Sequence, residues 1–477
     1  MSTEARTRRE SARRRRSRAF VGAFVAIIAV LGAIGLAGSA VTTAQGPRVT
    51  HVSVDPDAAV SSPGSRMILT TTQSLAEVAP AQVTVTPATD FTVDTSGRSV
   101  GIRFAQPLWD DTDYTVSIDG LSGVGGGASA SVRESFSTPL LHSFLLQRGS
   151  VDGDTIFRTD LVGDAAVPVY TNAHIEDFRA TAGHLVIATL DDHGRSHLIV
   201  TDLAGTGERE LPLPGEGTVT NLQSADRGNL VGYTFTDANV GSAGAREATL
   251  FTASLDAAQR DADPVPVERD GGESRVDDWR FVPGTDSILM LTYDGALTLV
   301  SPPTVGGAGA APVALGNAVA IDGIARGSTT AVIERVDGPV AIDLATAQET
   351  PLPATDPALG QVNATTPLVG GDTLRVLAVI DGFTVTSTTV NVVDVTGAAR
   401  PVFSVDPADV LIQTCVSPSG RYVAFLIAPD AVSNPYDGYQ LPLPDRVQTH
   451  VVALTDGAEV VALDGFAISW CQTPPRG

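Results

Sequence analysis

Ile412-Gln413-Thr414-Cys415-Val416-Ser417-Pro418-Ser419-Gly420-Arg421-Tyr422-Val423-Ala424-Phe425 reads as two short strands joined by a tight turn. The flanks are β-branched, apolar or aromatic. Ser-Pro-Ser-Gly between them is turn chemistry, because proline presets φ and glycine accepts positive φ. The same succession recurs at Val276-Asp277-Asp278-Trp279-Arg280-Phe281-Val282-Pro283-Gly284-Thr285-Asp286-Ser287-Ile288-Leu289. Each unit runs as a strand with a polar insertion, a turn, an apolar strand, a turn, a strand of the V-x-D-L kind, and a short last strand.

First strands start at Ile175, Val219, Val276, Ile321, Val362, Ile412 and Ile468. Residues 142–477 number 336, so seven starts give 48 per unit. Four-stranded propeller blades run about 40–50 residues. The expected fold is therefore all-β, with a seven-bladed β-propeller over 142–477. Residues 466–471 offer only a first strand, and residues 143–170 lack one. The C-terminal strand is expected to complete the N-terminal blade, which removes a free sheet edge. Cys415 and Cys471 each stand three residues after a start. An even pair in an oxidising compartment usually bridges, so a Cys415–Cys471 disulfide is expected; two buried thiols are the alternative.

One residue after each start stand Glu176, Thr220, Asp277, Asp322, Asn363, Gln413 and Ser469, all polar on largely apolar strands. Innermost strands line the axial channel, so these seven are expected to form a ligand-binding ring. Glu176, Asp277 and Asp322 have the oxygen chemistry that suits Ca²⁺. A solvated channel wall is the simpler reading of the same pattern. Arg179 and Arg280 follow on two of these strands as partners for the carboxylates. The long loop 429–446, with Asn434, Tyr436, Asp437 and Tyr439, is a second candidate for recognition, and 234–247 and 306–311 read as flexible insertions. The scattered histidines and the absence of CxxC and HExxH point to no transition metal.

Before the repeat, residues 48–139 alternate in short strands at 49–54, 67–72, 82–85, 99–104, 113–118 and 134–137, which predicts a β-sandwich. Leu108-Trp109-Asp110-Asp111-Thr112-Asp113-Tyr114-Thr115-Val116, followed by Ser135-Phe136-Ser137-Thr138-Pro139, resembles the SbsA-type bacterial Ig-like domain. That resemblance implies a spacer or adhesion module and carries no chemistry. Ser417–Phe425 resembles the S-P-D-G-x-x-I-A-F signature of TolB-like and WD40-like propellers, with Ser419 where Asp is usual.

Eight arginines crowd residues 1–18, and residues 19–41 follow without a charge. Twenty-three residues suffice to span a bilayer core of about 30 Å. Arginines resist translocation, so residues 1–18 are expected in the cytosol, with the bulk outside the cell. Small residues at 38–40 and 42–44 leave a cleaved signal as the alternative. Beyond residue 18 the chain holds 23 arginines against 52 acids, which disfavours nucleic acid. It has no lysine, the mark of a GC-rich genome, and resembles membrane-anchored envelope proteins of actinobacteria. The expected function is a tethered binding or scaffold protein that presents its propeller to an envelope protein or glycan. The alternative is an extracellular propeller hydrolase or lyase acting on glycans. No catalytic residue is assigned.

Overall fold

The computed structural model describes residues 27–31, 46–150, 152–163, 166–226, 229–269, 271–302 and 311–475. Residues 27–31 are helical, and among the described residues no helix is long and apolar enough to cross a membrane. The rest of the expected span 19–41 lies outside the described residues, as does most of the insertion 306–311.

The chain divides into two compact units. The first takes residues up to Asp55 with 66–104 and 113–137; the second takes 56–65, 105–112 and everything from Thr138. The first unit holds two antiparallel sheets. One orders Val49–Ser53, Arg66–Thr71, Ser99–Phe104 and Phe91–Ser96; the other orders Val83–Thr86, Asp113–Leu121 and Ala130–Ser137. Alternation drives the burial: Met67 and Leu69, Val83 and Val85, Tyr114, Val116 and Ile118 are buried while their neighbours face out. Phe104 of one sheet packs on Phe136 of the other at 6.2 Å between ring centroids. The strand Phe91–Ser96 was not expected. Its outward Thr92, Asp94 and Ser96 make it an edge with little apolar signal.

The second unit is a β-propeller of seven successive sheets. Blade 1 contains His142–Ser150, Gly153–Asp160 and Val167–Asn172. The other six blades are four-stranded meanders, with first strands Ile175–Ala180, Gly217–Ser224, Val276–Phe281, Ala320–Ile324, Gln361–Pro367 and Val410–Val416. First strands of neighbouring blades lie side by side from blade 2 to blade 6. Apolar faces fill the spaces between blades: Leu198 and Val200 of blade 2 share a cluster with Tyr233 and Phe251 of blade 3. Trp279 of blade 4 is fully buried against Gly232 of blade 3, where a Cβ would stand 2.6 Å from the indole ring.

In blades 2, 5 and 6 an aspartate at the end of the third strand turns the chain. The Asp202 carboxylate accepts from the backbone of Ala204 and Thr206, Asp343 from Ala345 and Thr346, and Asp394 from Thr396 and Ala398. These Asx turns explain the recurring V-x-D-L pattern.

The C-terminal segment pairs with the first blade through an isolated bridge at Phe466, without forming a strand over 466–471. Phe466 and Leu146 exchange two backbone hydrogen bonds of 2.9 Å, and Ser469 N donates to Phe144 O, so the C-terminal segment lies along the His142–Ser150 edge of blade 1. Cys415 and Cys471 are disulfide-bonded. The supposed insertion 234–247 is ordered: Thr234–Asp237 continues a strand, and Asp237 receives Arg246 in a salt bridge of 2.8 Å.

Candidate functional site

The polar position after each start has a structural cause. Pairing with the second strand slips between Ile175 and Asp177, Val276 and Asp278, Ile321 and Gly323, and Val362 and Ala364. Glu176, Asp277, Asp322 and Asn363 are thus the extra residues of β-bulges, which re-aim a side chain and sharpen the twist. In blade 7 the slip lies between Leu411 and Gln413, so Ile412 is the equivalent residue and Gln413 stands one place further on. Blade 3 slips between Thr220 and Gln223, so Thr220 precedes its bulge.

The seven residues do not form one ring of equivalent groups. Thr220, Asp277 and Asn363 are exposed, and Asp322 is half-buried. Thr220 Oγ1 lies 2.7 Å from Thr234 Oγ1. Gln413 donates to Thr473 O at 2.8 Å, and Ser469 Oγ accepts from Phe144 N at 3.1 Å. Among the described residues no group of three or more His, Cys, Asp or Glu is placed to hold a metal ion, so the calcium reading of Glu176, Asp277 and Asp322 has no cluster to rest on.

Glu176 has a different role. It is buried, and its two carboxylate oxygens accept from Gln440 N and Leu441 N, each at 3.0 Å. His174 Nε2 lies 2.6 Å away and Arg148 3.8 Å. Arg148 also pairs with Asp437 at 2.8 Å, donates to Leu441 O, and lies over the Tyr439 ring. Tyr439 donates its hydroxyl to Asp154, and burial first, then Asp154, push its phenol upward. Loop 429–446 is thereby tied down onto blades 1 and 2. Its base is closed by buried Asn434, which donates to Pro429 O and Arg446 O and accepts from Arg446 N.

Further along the inner strands runs a belt of buried polar groups. Arg179 reaches back two residues to Asp177 at 2.8 Å, and Arg280 does the same to Asp278. Gln223 lies between them and donates to Trp279 O at 2.7 Å. Burial pushes the Asp177 carboxyl up, and the Arg179 charge opposes that. The carboxylates that Arg179 and Arg280 pair with are Asp177 and Asp278, one place beyond Glu176 and Asp277.

The string Gly97-Arg98-Ser99-Val100-Gly101 has the spacing of a nucleophile elbow. It lies in a strand–turn–strand hairpin, with Ser99 Oγ 3.2 Å from Thr70 Oγ1, and lacks the strand-to-helix turn that exposes such a nucleophile.

A further recess carries no mark in the sequence pattern. A cavity of about 510 Å³ opens on the propeller face that carries the turns after the inner strands. Leu141, Phe144, Leu203 and Trp470 contribute apolar wall, and the short helix Pro56–Ser61 stands at one side. Ser469, the ring residue of the closing segment, also lines it. A smaller recess lined by Arg280, Asp322 and Thr414 shares Arg326, Pro418, Trp470 and Gln472 with it. Arg326 is fixed between them by Asp226 at 3.1 Å and Trp470 O at 2.8 Å. The signal for this cavity is spread over blades 1, 2, 3, 5 and 7, so no local motif marks it.

No family profile and no curated protein matches the chain. Solved structures similar to it include TolB from Acinetobacter baumannii, at 12% identity and TM-score 0.35, covering 84% of this chain and 86% of that one. The β-propeller domain of Cps50 (Swd1) from Myceliophteria thermophila is similar at 13% identity and TM-score 0.40, covering 62% and 87%. The WD40 domain of SCAP from fission yeast is similar at 11% identity and TM-score 0.35, covering 69% and 89%.

Proposed function

We propose that this chain is a membrane-tethered extracytoplasmic binding protein. Residues 19–41 anchor it, residues 1–18 stay in the cytosol, residues 48–139 act as an SbsA-type Ig-like spacer, and the propeller presents a ligand site in the cell envelope. The observation that carries the binding role is the cavity beneath Trp470. Its volume, about 510 Å³, falls in the range of ligand pockets, roughly 300–1,000 Å³. Its wall sets the apolar Leu141, Phe144 and Leu203 beside a few polar groups, His142, Arg158 and Ser224 among them, which is the lining that ligand pockets carry. The tether is supported by the arginine block directly before an uncharged run.

Two measurements test this. Protease added outside intact cells is expected to digest everything beyond residue 46 and to spare an arginine-rich membrane fragment; survival of the propeller in intact cells overturns the topology. Ala182, exposed on the cavity rim, is the place to narrow the recess. Small molecules that raise the Tm of the native protein are expected to lose that effect on Ala182→Trp. Equal shifts in both proteins would sink the cavity as the binding site.

A further inference from the structure

The second and third strands of blade 6, Thr373–Asp381 and Thr384–Val393, run on past their neighbours. The first strand of that blade begins at Gln361, opposite Ala378, and the fourth ends at Val405, opposite Thr388. Residues 379–387 therefore leave the blade as a two-stranded ribbon, with Val379 opposite Ser387, Ile380 opposite Val385 and Asp381 opposite Thr384. Thr386 is the bulged residue, and its hydroxyl ties back to Val379 O at 3.1 Å. Gly382, at φ +63°, opens the two-residue turn and leaves Phe383 at the apex. Phe383 is fully exposed, and Val379, Ile380 and Val385 are 38–46% exposed. Single exposed apolar side chains are ordinary, but four on one projecting ribbon mark a contact surface. Among the described residues neither outer edge of the ribbon is paired with a strand, and such an edge is a template for another one.

The charge around the ribbon has one sign. Residues 376–393 and the flanking links 352–360 and 401–411 contain Asp356, Asp381, Asp406 and Asp409 and no basic residue. Asp356, Asp381 and Asp406 are exposed. On the neighbouring turns of the same face, Arg335 of blade 5 pairs with Glu349, and Arg446 of blade 7 with Asp430. We propose that the ribbon docks an extended basic segment of a partner protein. Its backbone adds along a free edge, its apolar side chains cover Ile380, Phe383 and Val385, and its cations face Asp381 and the acids of the flanking links. An anionic lipid surface meets those acids with repulsion, and so does a second copy of this acidic chain. The ribbon lies on the face of the second-to-third turns, opposite the cavity, and its role does not depend on the cavity.

The test titrates the full-length chain by calorimetry with three capped heptapeptides: Lys-Val-Lys-Val-Lys-Val-Lys, Glu-Val-Glu-Val-Glu-Val-Glu and Lys-Ser-Lys-Ser-Lys-Ser-Lys. The first is expected to bind, and the other two to be weaker by about tenfold or more, through loss of the charge match or of the apolar contact. Phe383→Ser, at a fully exposed apex, leaves the core intact and is expected to weaken the first peptide by about tenfold. Asp381→Asn is expected to weaken it by about threefold, as for an exposed ion pair. Bound peptide is also expected to slow amide exchange within 379–387. No binding of the first peptide, or equal binding of its reversed-charge counterpart, overturns the basic assignment. Native affinity in both Phe383→Ser and Ile380→Thr, or unchanged exchange in the ribbon, overturns the docking site. Vesicle binding or concentration-dependent dimerisation that Phe383→Ser abolishes would give the ribbon to lipid or to a second copy, and overturns the partner named here.

Discussion

Arg148 has a side chain only 6% exposed, yet it faces Asp437 at 2.8 Å and Glu176 at 3.8 Å. Its guanidinium also donates to the carbonyls of Ile175, Glu176 and Leu441. Replacing it by methionine keeps much of the volume but leaves two buried carboxylates without their cation. Breaking such a pair costs about 3–5 kcal/mol, so Arg148→Met is expected to lower the urea midpoint by the corresponding amount. Glu176→Gln in the same background should recover part of that loss, because one stranded charge is gone. A milder residue-scale effect is expected at Gly232. Alanine there meets the Trp279 ring, and overpacking of this kind costs about 1–3 kcal/mol, again read from a urea titration. At this scale the sequence pattern was informative about position and poor about partners. A polar residue among apolar ones located Glu176, Asp277, Asp322 and Asn363. Simple alternation cannot reveal a bulge, because the extra residue breaks the period that the reading depends on. For that reason Gln413 was placed one residue late.

The disulfide and loop 429–446 hold the closing blades in different ways. Cys415 and Cys471 are separated by 56 residues, for which loop-closure entropy gives about 4 kcal/mol of stabilisation. Reductant, or Cys415→Ala with Cys471→Ala, is therefore expected to lower unfolding free energy by up to that amount. Mass spectrometry under non-reducing conditions should show the two peptides linked. The loop depends on Asn434, whose side chain bonds both its ends at 2.7–3.0 Å. Asn434→Ala should leave the blades intact and turn the loop into the first site of limited proteolysis; unchanged cleavage would show that Arg148 and Tyr439 suffice alone. Loop length and composition drew attention to this segment from the sequence. What they could not supply was the distant contact with Glu176, some 260 residues earlier in the chain. The strand Phe91–Ser96 escaped for the opposite reason: an edge strand with three polar outward residues has almost no apolar period.

Over the whole molecule, acid stability should follow carboxylates whose charged form is bonded. Glu273 is pushed down to about 2, first by hydrogen bonding from Arg275, and Asp237 is held low first by Arg246. Groups lowered on folding stabilise above their unfolded pKa and lose that effect as pH falls. Calorimetric Tm is expected to drop between about pH 4.5 and about 2, and Glu273→Gln should flatten part of the slope. Asp177 acts in the opposite sense, since burial raises it and its contribution fades as pH rises through its folded value. The seven-unit period and the closure were readable because they repeat or pair over the chain. The cavity was not, because five blades each give it only a few residues. The closure also orders events in time. Blade 1 contains some of the first propeller residues to be made, and Phe466 among the last. A nascent chain must therefore carry the unfilled edge of His142–Ser150 until nearly all of the propeller has been made. During that interval the edge can pair with any passing strand, so the length of synthesis itself sets how long a quality-control factor would need to shield it.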